Sequence, residues 1–374
     1  MVKKLYLFFL SIKNIFIFFL INEEFKKIVL YSENQIYKYY FYPLIELLIK
    51  KKQKFIYLKS DFNDKLNNDN IRDLYIGDGF AFLVITNFLN CKNLIMTLTD
   101  LNNNKFKKSP FCKNYIYIFH SLVSTHKYYT EHAFNNYDKI FCCGQYQINE
   151  ILKNEEVHNL KNKVLVNTGY LFLDYLDAKI KERNFALTSK KILFATTWNK
   201  DMQGLTNTDL NSIFESLLQN YQIIFRPHPE DVKRNKIVIN QIADTYKNNP
   251  NFFLDVNSEN FKSLEESCLL ITDAGGIFLE YLFAFKKPVI FLEGFEKVHN
   301  PNFKSVFNQT FEEKIRSKFC LSINKDNFKE IDNYISSCLS KNFLDDMKKK
   351  LKENENLFAN RGKVAEIIYK NLNI

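Results

Sequence analysis

The chain has 374 residues, 46% hydrophobic and 25% charged, with 52 Lys and Arg against 42 Asp and Glu. This balance excludes a disordered tail, a collagen-like repeat and a disulfide-stapled mini-protein, and at roughly 150 residues per domain it allows two domains with separate cores. The net charge of +10 suits an anionic partner. The basic runs Lys50-Lys51-Lys52 and Lys348-Lys349-Lys350 sit beside helical patterns with no nucleic-acid module around them, so no nucleic acid is expected as a partner.

Residues 5–21, LYLFFLSIKNIFIFFLI, form an apolar stretch broken by Ser11, Lys13 and Asn14. As a helix rising ~1.5 Å per residue it would reach about 25 Å, short of a ~30 Å hydrocarbon core. Asn22-Glu23-Glu24 follow directly, with no small-residue cleavage site, which argues against a signal peptide. The expectation is a helix packed on the body or lying in a membrane surface. Large Phe and Ile side chains on nearly every side favour lipid contact.

After this segment, short apolar runs alternate with room for helices. They are 27–33, 54–60, 74–77, 93–99, 115–120, 139–144 and 163–169. A polar stretch, Asp177–Lys191, reads as a linker. The alternation restarts at 191–197, 222–230, 252–256, 268–276, 288–294 and 319–323. Such βαβ alternation predicts an α/β protein with two Rossmann-like domains facing across a cleft. The expected division is a hydrophobic segment 1–24, a first Rossmann-like domain 25–180, a second 190–345 and a C-terminal helix 346–374, with Arg361-Gly362 as a break in the tail. The seven cysteines contain no CxxC pair and several lie in apolar runs, which predicts reduced, packed thiols in a cytoplasmic protein.

Chemistry concentrates at the carboxyl ends of these runs. In residues 269–293 a buried strand ends at Thr272-Asp273, Ala274-Gly275-Gly276 allow close backbone approach, and a helix begins at once. That pattern aims free N–H groups and a positive dipole end at an anion. Asp273 is a candidate helix cap, and Glu280 is placed two turns in. Arg226-Pro227-His228-Pro229 follows another strand. Its prolines fix where an anion-binding Arg226 and a proton- or hydrogen-bond-donating His228 point. In the first half, His120 ends the run IYIFH, where it suits a general base for an acceptor hydroxyl. Ser121, Ser124, Thr125 and His126 share its loop. Thr196-Thr197-Trp198 could line the cleft from the second domain. No DxD or His/Cys cluster stands out, so no metal and no cofactor is expected.

Together these pieces resemble the CDP-glycerol glycerophosphotransferase family, the teichoic-acid and capsule-type polymerases and primases of GT-B fold. The resemblance spans roughly residues 110–370 and rests on FHSLVSTH, NTGYLFLD, ATTW, RPHPE, TDAGG, KKPVIF and NRGKVAEII. Two departures stand out. The family's His-Gly is His120-Ser121 here, and its TDYSS is Thr272–Gly276, without either serine. The Asp-Ala-Gly-Gly run is also similar to the loop of non-hydrolysing UDP-N-acetylglucosamine 2-epimerases.

The resemblance implies a transferase moving glycerol phosphate, or a related polyol phosphate or sugar, from a nucleotide-diphosphate donor, CDP-glycerol favoured. The acceptor would be a hydroxyl of a cell-surface glycan or lipid-linked molecule. Arg226, His228 and the Thr272–Gly276 loop would hold the diphosphate, Glu280 would reach the ribose, and Ser121, His126 and Thr197 would complete the site. The protein would be cytoplasmic with peripheral contact at the inner face of the membrane. The competing readings are a nucleotide-sugar glycosyltransferase or epimerase of the same architecture and an inactive GT-B binding module.

Overall fold

The computed structural model describes residues 2–103, 105–181, 190–198, 207–294 and 296–373. The first sheet contains β1 (Ile28–Ser32), β2 (Phe55–Lys59), β3 (Ile71–Tyr75), β4 (Cys91–Met96), β5 (Cys112–Ile118), β6 (Lys139–Cys142) and β7 (Val164–Asn167). Its order is β3-β2-β1-β4-β5-β6-β7, and every pair is parallel. The second contains β8 (Lys191–Ala195), β9 (Gln222–Phe225), β10 (Phe252–Leu254), β11 (Leu269–Thr272), β12 (Val289–Leu292) and β13 (Leu321–Ile323). Its order is β10-β9-β8-β11-β12-β13, again all parallel.

Each expected apolar run meets one of these strands, with shifts of a few residues at the ends. Continuous runs such as IVLYS in β1 and LLIT in β11 suit strands covered by helices on both faces, and every residue of both is buried. Strand order reverses between β1 and β4 in the first sheet and between β8 and β11 in the second. In doubly wound sheets such reversals open a crevice beyond the strands' carboxyl ends. The two crevices face one another.

Two expectations change. The stretch read as a linker opens inside a helix, Leu171–Lys181, which buries Leu173, Tyr175 and Leu176 and so carries the chain on in order; residues 182–189 lie outside the described residues. The tail is not one C-terminal helix from 346. A helix at Lys341–Glu353 crosses that boundary, and a second at Val364–Lys370 returns to the first domain. There Asn93 Nδ2 donates to Leu372 O at 2.9 Å, and Lys139 Nζ donates to Asn371 O at 2.6 Å. The returning chain passes so near Gly169 that a Cβ there would stand 2.1 Å from Ala359 O.

The N-terminal helix, Val2–Leu20, packs against the helix Phe80–Asn87 and β3. Two of its three polar breaks face inward: Ser11 and Asn14 are buried beside Ile15 and Phe18, and Asn14 Nδ2 donates to Tyr75 O at 2.8 Å, while Lys13 is exposed. Leu5, Phe8, Phe9, Phe16, Phe19 and Leu20 stay exposed. Among the described residues, no helix is long and apolar enough to cross a membrane.

Candidate active site

A cleft of about 510 Å³ lies between the domains, at the carboxyl ends of both sheets. The chain leaving β1 brings Glu33, that leaving β4 brings Thr97, and that leaving β5 brings His120 and Ser121. From the second domain come Thr196 and Thr197 after β8, Arg226 and His228 after β9, and Ala274, Gly275 and Gly276 after β11. Glu280 lines the cleft as well, and so does Lys297 from the segment after β12. Parallel strands deliver all these groups to one place because their carboxyl ends share one edge.

His120 is enclosed by tyrosines, with the rings of Tyr37, Tyr40 and Tyr129 centred 5.5, 6.1 and 6.2 Å from its own. Its Nδ1 is buried without a hydrogen-bond partner. Burial, with the Lys297 charge adding to it, pushes the imidazole down to about 4, against a smaller opposing pull from the Thr97 backbone. A base of this kind is neutral and ready at neutral pH. His228 caps the short helix Pro229–Arg234 and accepts a hydrogen bond from Glu230 N at its Nδ1, 3.1 Å away. With Nδ1 an acceptor, the neutral ring carries its proton on Nε2. Burial, then Lys297, His120 and Arg226, hold His228 down at about 3. It is therefore a hydrogen-bond donor at neutral pH, not a cation.

Lys297 was not singled out in the sequence. Burial lowers its ammonium pKa, opposed by the charges of Asp273 and Asp231, and it forms no ion pair among the described residues. Its signal was only its place, a lone Lys five residues past the end of β12. Arg226 is less free. Its Nη1 donates to Asp255 Oδ2 at 2.5 Å and its Nη2 to Asn257 O at 2.8 Å, so it presents a guanidinium already anchored from behind.

The loop after β11 divides in function. Ala274, Gly275 and Gly276 face the cleft. Thr272 is fully buried and spends its hydroxyl on Ala195 O at 2.7 Å. Asp273 is not the expected helix cap. Gly276 holds that position without a side-chain bond, and the Asp273 carboxylate accepts from Thr197 N at 2.7 Å, tying the ends of β8 and β11 together. Burial raises Asp273 to about 7. Glu280 stands in the first helical turn, Ile277–Glu280, rather than the second. It accepts from the Tyr170 hydroxyl at 2.9 Å, and burial raises it to about 8.

His126 is not in the cleft. It turns inward on the short helix Thr125–Tyr128, 3.4 Å from Glu150 Oε1 and against Phe303 and Phe307. Its segment joins the two domains: Ser124 N donates to Glu312, Asn300 Nδ2 donates to His126 O at 3.0 Å, and Lys127 pairs with Glu313 at 2.9 Å. Trp198 also lies outside the cleft lining, its ring near His299 and the Arg234 guanidinium.

Residues 122–295 match the family model described as CDP-glycerol:poly(glycerophosphate) glycerophosphotransferase. No curated protein matches the sequence. Among solved structures the chain is similar to the wall teichoic acid polymerase TagF, with a TM-score of 0.61 and 15% identity over 100% of this chain and 97% of that one. A TagF variant soaked with CDPG gives 0.58 and 16% over 99% and 94%. The UDP-GlcNAc 2-epimerase of Neisseria meningitidis, bound to UDP-GlcNAc, gives 0.59 and 14% over 92% and 99%. At these identities the structures establish a shared two-domain fold, that of GT-B proteins.

Proposed function

Starting from the match of residues 122–295 to the glycerophosphotransferase family, we propose that this protein transfers glycerol phosphate from CDP-glycerol to a hydroxyl of a cell-surface glycan or lipid-linked acceptor. One observation carries the reading at the site. A neutral His120 in one domain, its Nδ1 without a partner, faces Lys297, unpaired among the described residues, the His228 donor and the Gly275-Gly276 loop in the other. His120 accepts the proton of the attacking hydroxyl as that oxygen bonds to the glycerol-bearing phosphorus. The bond from that phosphorus to the bridging oxygen breaks, and CMP leaves with the electron pair. Lys297, His228 Nε2 and the loop amides offset the charge gathering on the departing phosphate. Arg226, braced by Asp255, orients the diphosphate, and Thr197 and Ser121 add hydroxyls. Glu280, a buried residue of the cleft lining, is left for the nucleoside.

The test is CMP release from CDP-glycerol, with binding of CDP, UDP and GDP compared by calorimetry. Cytidine-selective binding, weakened in Lys297→Met, together with CMP release lost in His120→Ala, is the expected result. Free epimer formed from UDP-GlcNAc without acceptor would replace transfer by epimerisation. Binding and cellular role both intact in His120→Ala would leave only a binding module.

The outer face of the N-terminal helix supports peripheral contact with the cytoplasmic membrane surface. Its exposed Phe8, Phe9, Phe16 and Phe19 stand beside exposed Lys3, Lys4 and Lys13, a pairing suited to an anionic interface. Phe8, Phe9 and Phe16 replaced together by Ser should abolish co-sedimentation with phosphatidylglycerol vesicles, and unchanged sedimentation would refute the contact.

A further inference from the structure

The two walls of the cleft differ in chemistry. On the first-domain wall, Tyr37, Tyr39, Tyr40, Tyr128, Tyr129 and Phe172 line the space around His120. Among the described residues that wall contributes no Lys or Arg, and its one carboxylate is Glu33. Lys38 and Lys127, sequence neighbours of these tyrosines, are engaged elsewhere, with Asp64 at 3.4 Å and Glu313 at 2.9 Å. The cations lining the cleft, Arg226 and Lys297, stand on the opposite wall.

An acceptor hydroxyl reaching His120 must bring its own molecule against the aromatic wall. A chain carrying a phosphodiester every few atoms would lose the hydration of those charges there. On that wall it would meet no cation in return. A neutral sugar ring loses far less. Its apolar C–H face lies flat on a tyrosine, whose ring face is electron-rich, while its hydroxyls stay free to bond. We propose that the acceptor is an uncharged sugar residue, stacked on the Tyr37–Tyr40–Tyr129 wall, and that this wall rejects acceptors ending in glycerol phosphate units. The inference rests on the glycerophosphotransferase reading and names the acceptor class for it.

The full chain is tested with CDP-glycerol and two acceptor probes at equal concentration, methyl β-glycosides of N-acetylhexosamines and a synthetic glycerol phosphate trimer. Donor affinity is measured separately by calorimetry. The expected result is CMP release at least tenfold faster with a glycoside than in buffer, and within twofold of buffer with the trimer. Tyr40→Ala should raise the KM for the glycoside tenfold without changing donor affinity. Glu33→Lys should bring the trimer into use. If donor binds and the trimer serves as well as the glycosides, or neither serves, the acceptor inference is overturned while the donor reading stands. If CDP-glycerol does not bind at all, both fall.

Discussion

Gly276 of the second domain meets Ser121 of the first so closely that a Cβ on Gly276 would stand 2.6 Å from Ser121 Oγ and 2.9 Å from Val123 Cγ1. The donor loop and the His120 loop are therefore fitted to one another, with the side chain on the first-domain partner and the space on the second. Adding a methyl group at Gly276 overpacks this contact, at a cost of about 1–3 kcal/mol if the domains stay closed. Gly276→Ala should lower the melting temperature by several degrees or hold the cleft open, and reduce CMP release at least tenfold. Adding Ser121→Gly to it should recover part of both losses, because the two positions share one contact. Unchanged stability and turnover in Gly276→Ala would show that the loops do not touch in solution.

The neutral state of His120 sets a pH expectation. With its imidazole at about 4, the acid limb of kcat/KM should fall well below the pH 6.5 of an ordinary histidine. Lys297 contributes to that depression, so Lys297→Met should move the acid limb to higher pH. His120→Gln should cost about 10²- to 10⁴-fold in kcat/KM, the usual range for a lost proton acceptor, while donor affinity changes less than threefold. An acid limb near 6.5 in the wild type would place the essential base elsewhere.

Glu280 gives a stability counterpart. Its carboxyl is raised from 4.5 to about 8 by burial, so the folded state holds a proton that the unfolded state releases above 4.5. Stability from this group is present in full below pH 4.5 and is lost as pH rises through about 8. Asp273 and Glu33, each raised by burial to about 7, act in the same direction. Melting temperature should therefore decline between pH 5 and 8.5. Glu280→Gln, which mimics the protonated acid and can still accept from Tyr170, should flatten that decline and match the wild type near pH 5. An identical slope in the two proteins would contradict the assignment.

The architecture was legible because parallel strands covered on both faces leave unbroken apolar runs, such as ILFA in β8 and LLIT in β11. Residues ending those runs, His120, Arg226 and Gly276, fell where such strands deliver them. Lys297 and the Tyr37–Tyr40 pair were harder to see. They follow strands by several residues, in segments whose path depends on tertiary packing, and a Lys or Tyr is commonplace in this composition. His126 misled for a related reason. It shares the His120 loop, yet the turn at Thr125 and the pull of Glu150 carry it inward. The pairing of Arg226 with Asp255 joins residues 29 positions apart and became visible only once β9 and β10 lay side by side.

That pairing separates two effects that a single substitution at Arg226 would merge. Both side chains are about nine-tenths buried, and Asp255 also accepts from Ser263 and from Asn257 N. Removing the guanidinium leaves a buried carboxylate with less compensation, a change that typically costs about 3–5 kcal/mol. Arg226→Met should therefore destabilise the chain as well as weaken CDP-glycerol binding. Arg226→Met with Asp255→Asn should regain much of the stability, because no uncompensated charge remains, but none of the donor affinity. Urea unfolding and calorimetric titration on the same three proteins distinguish the outcomes. If the double variant regains affinity along with stability, Arg226 supports the fold and does not hold the donor.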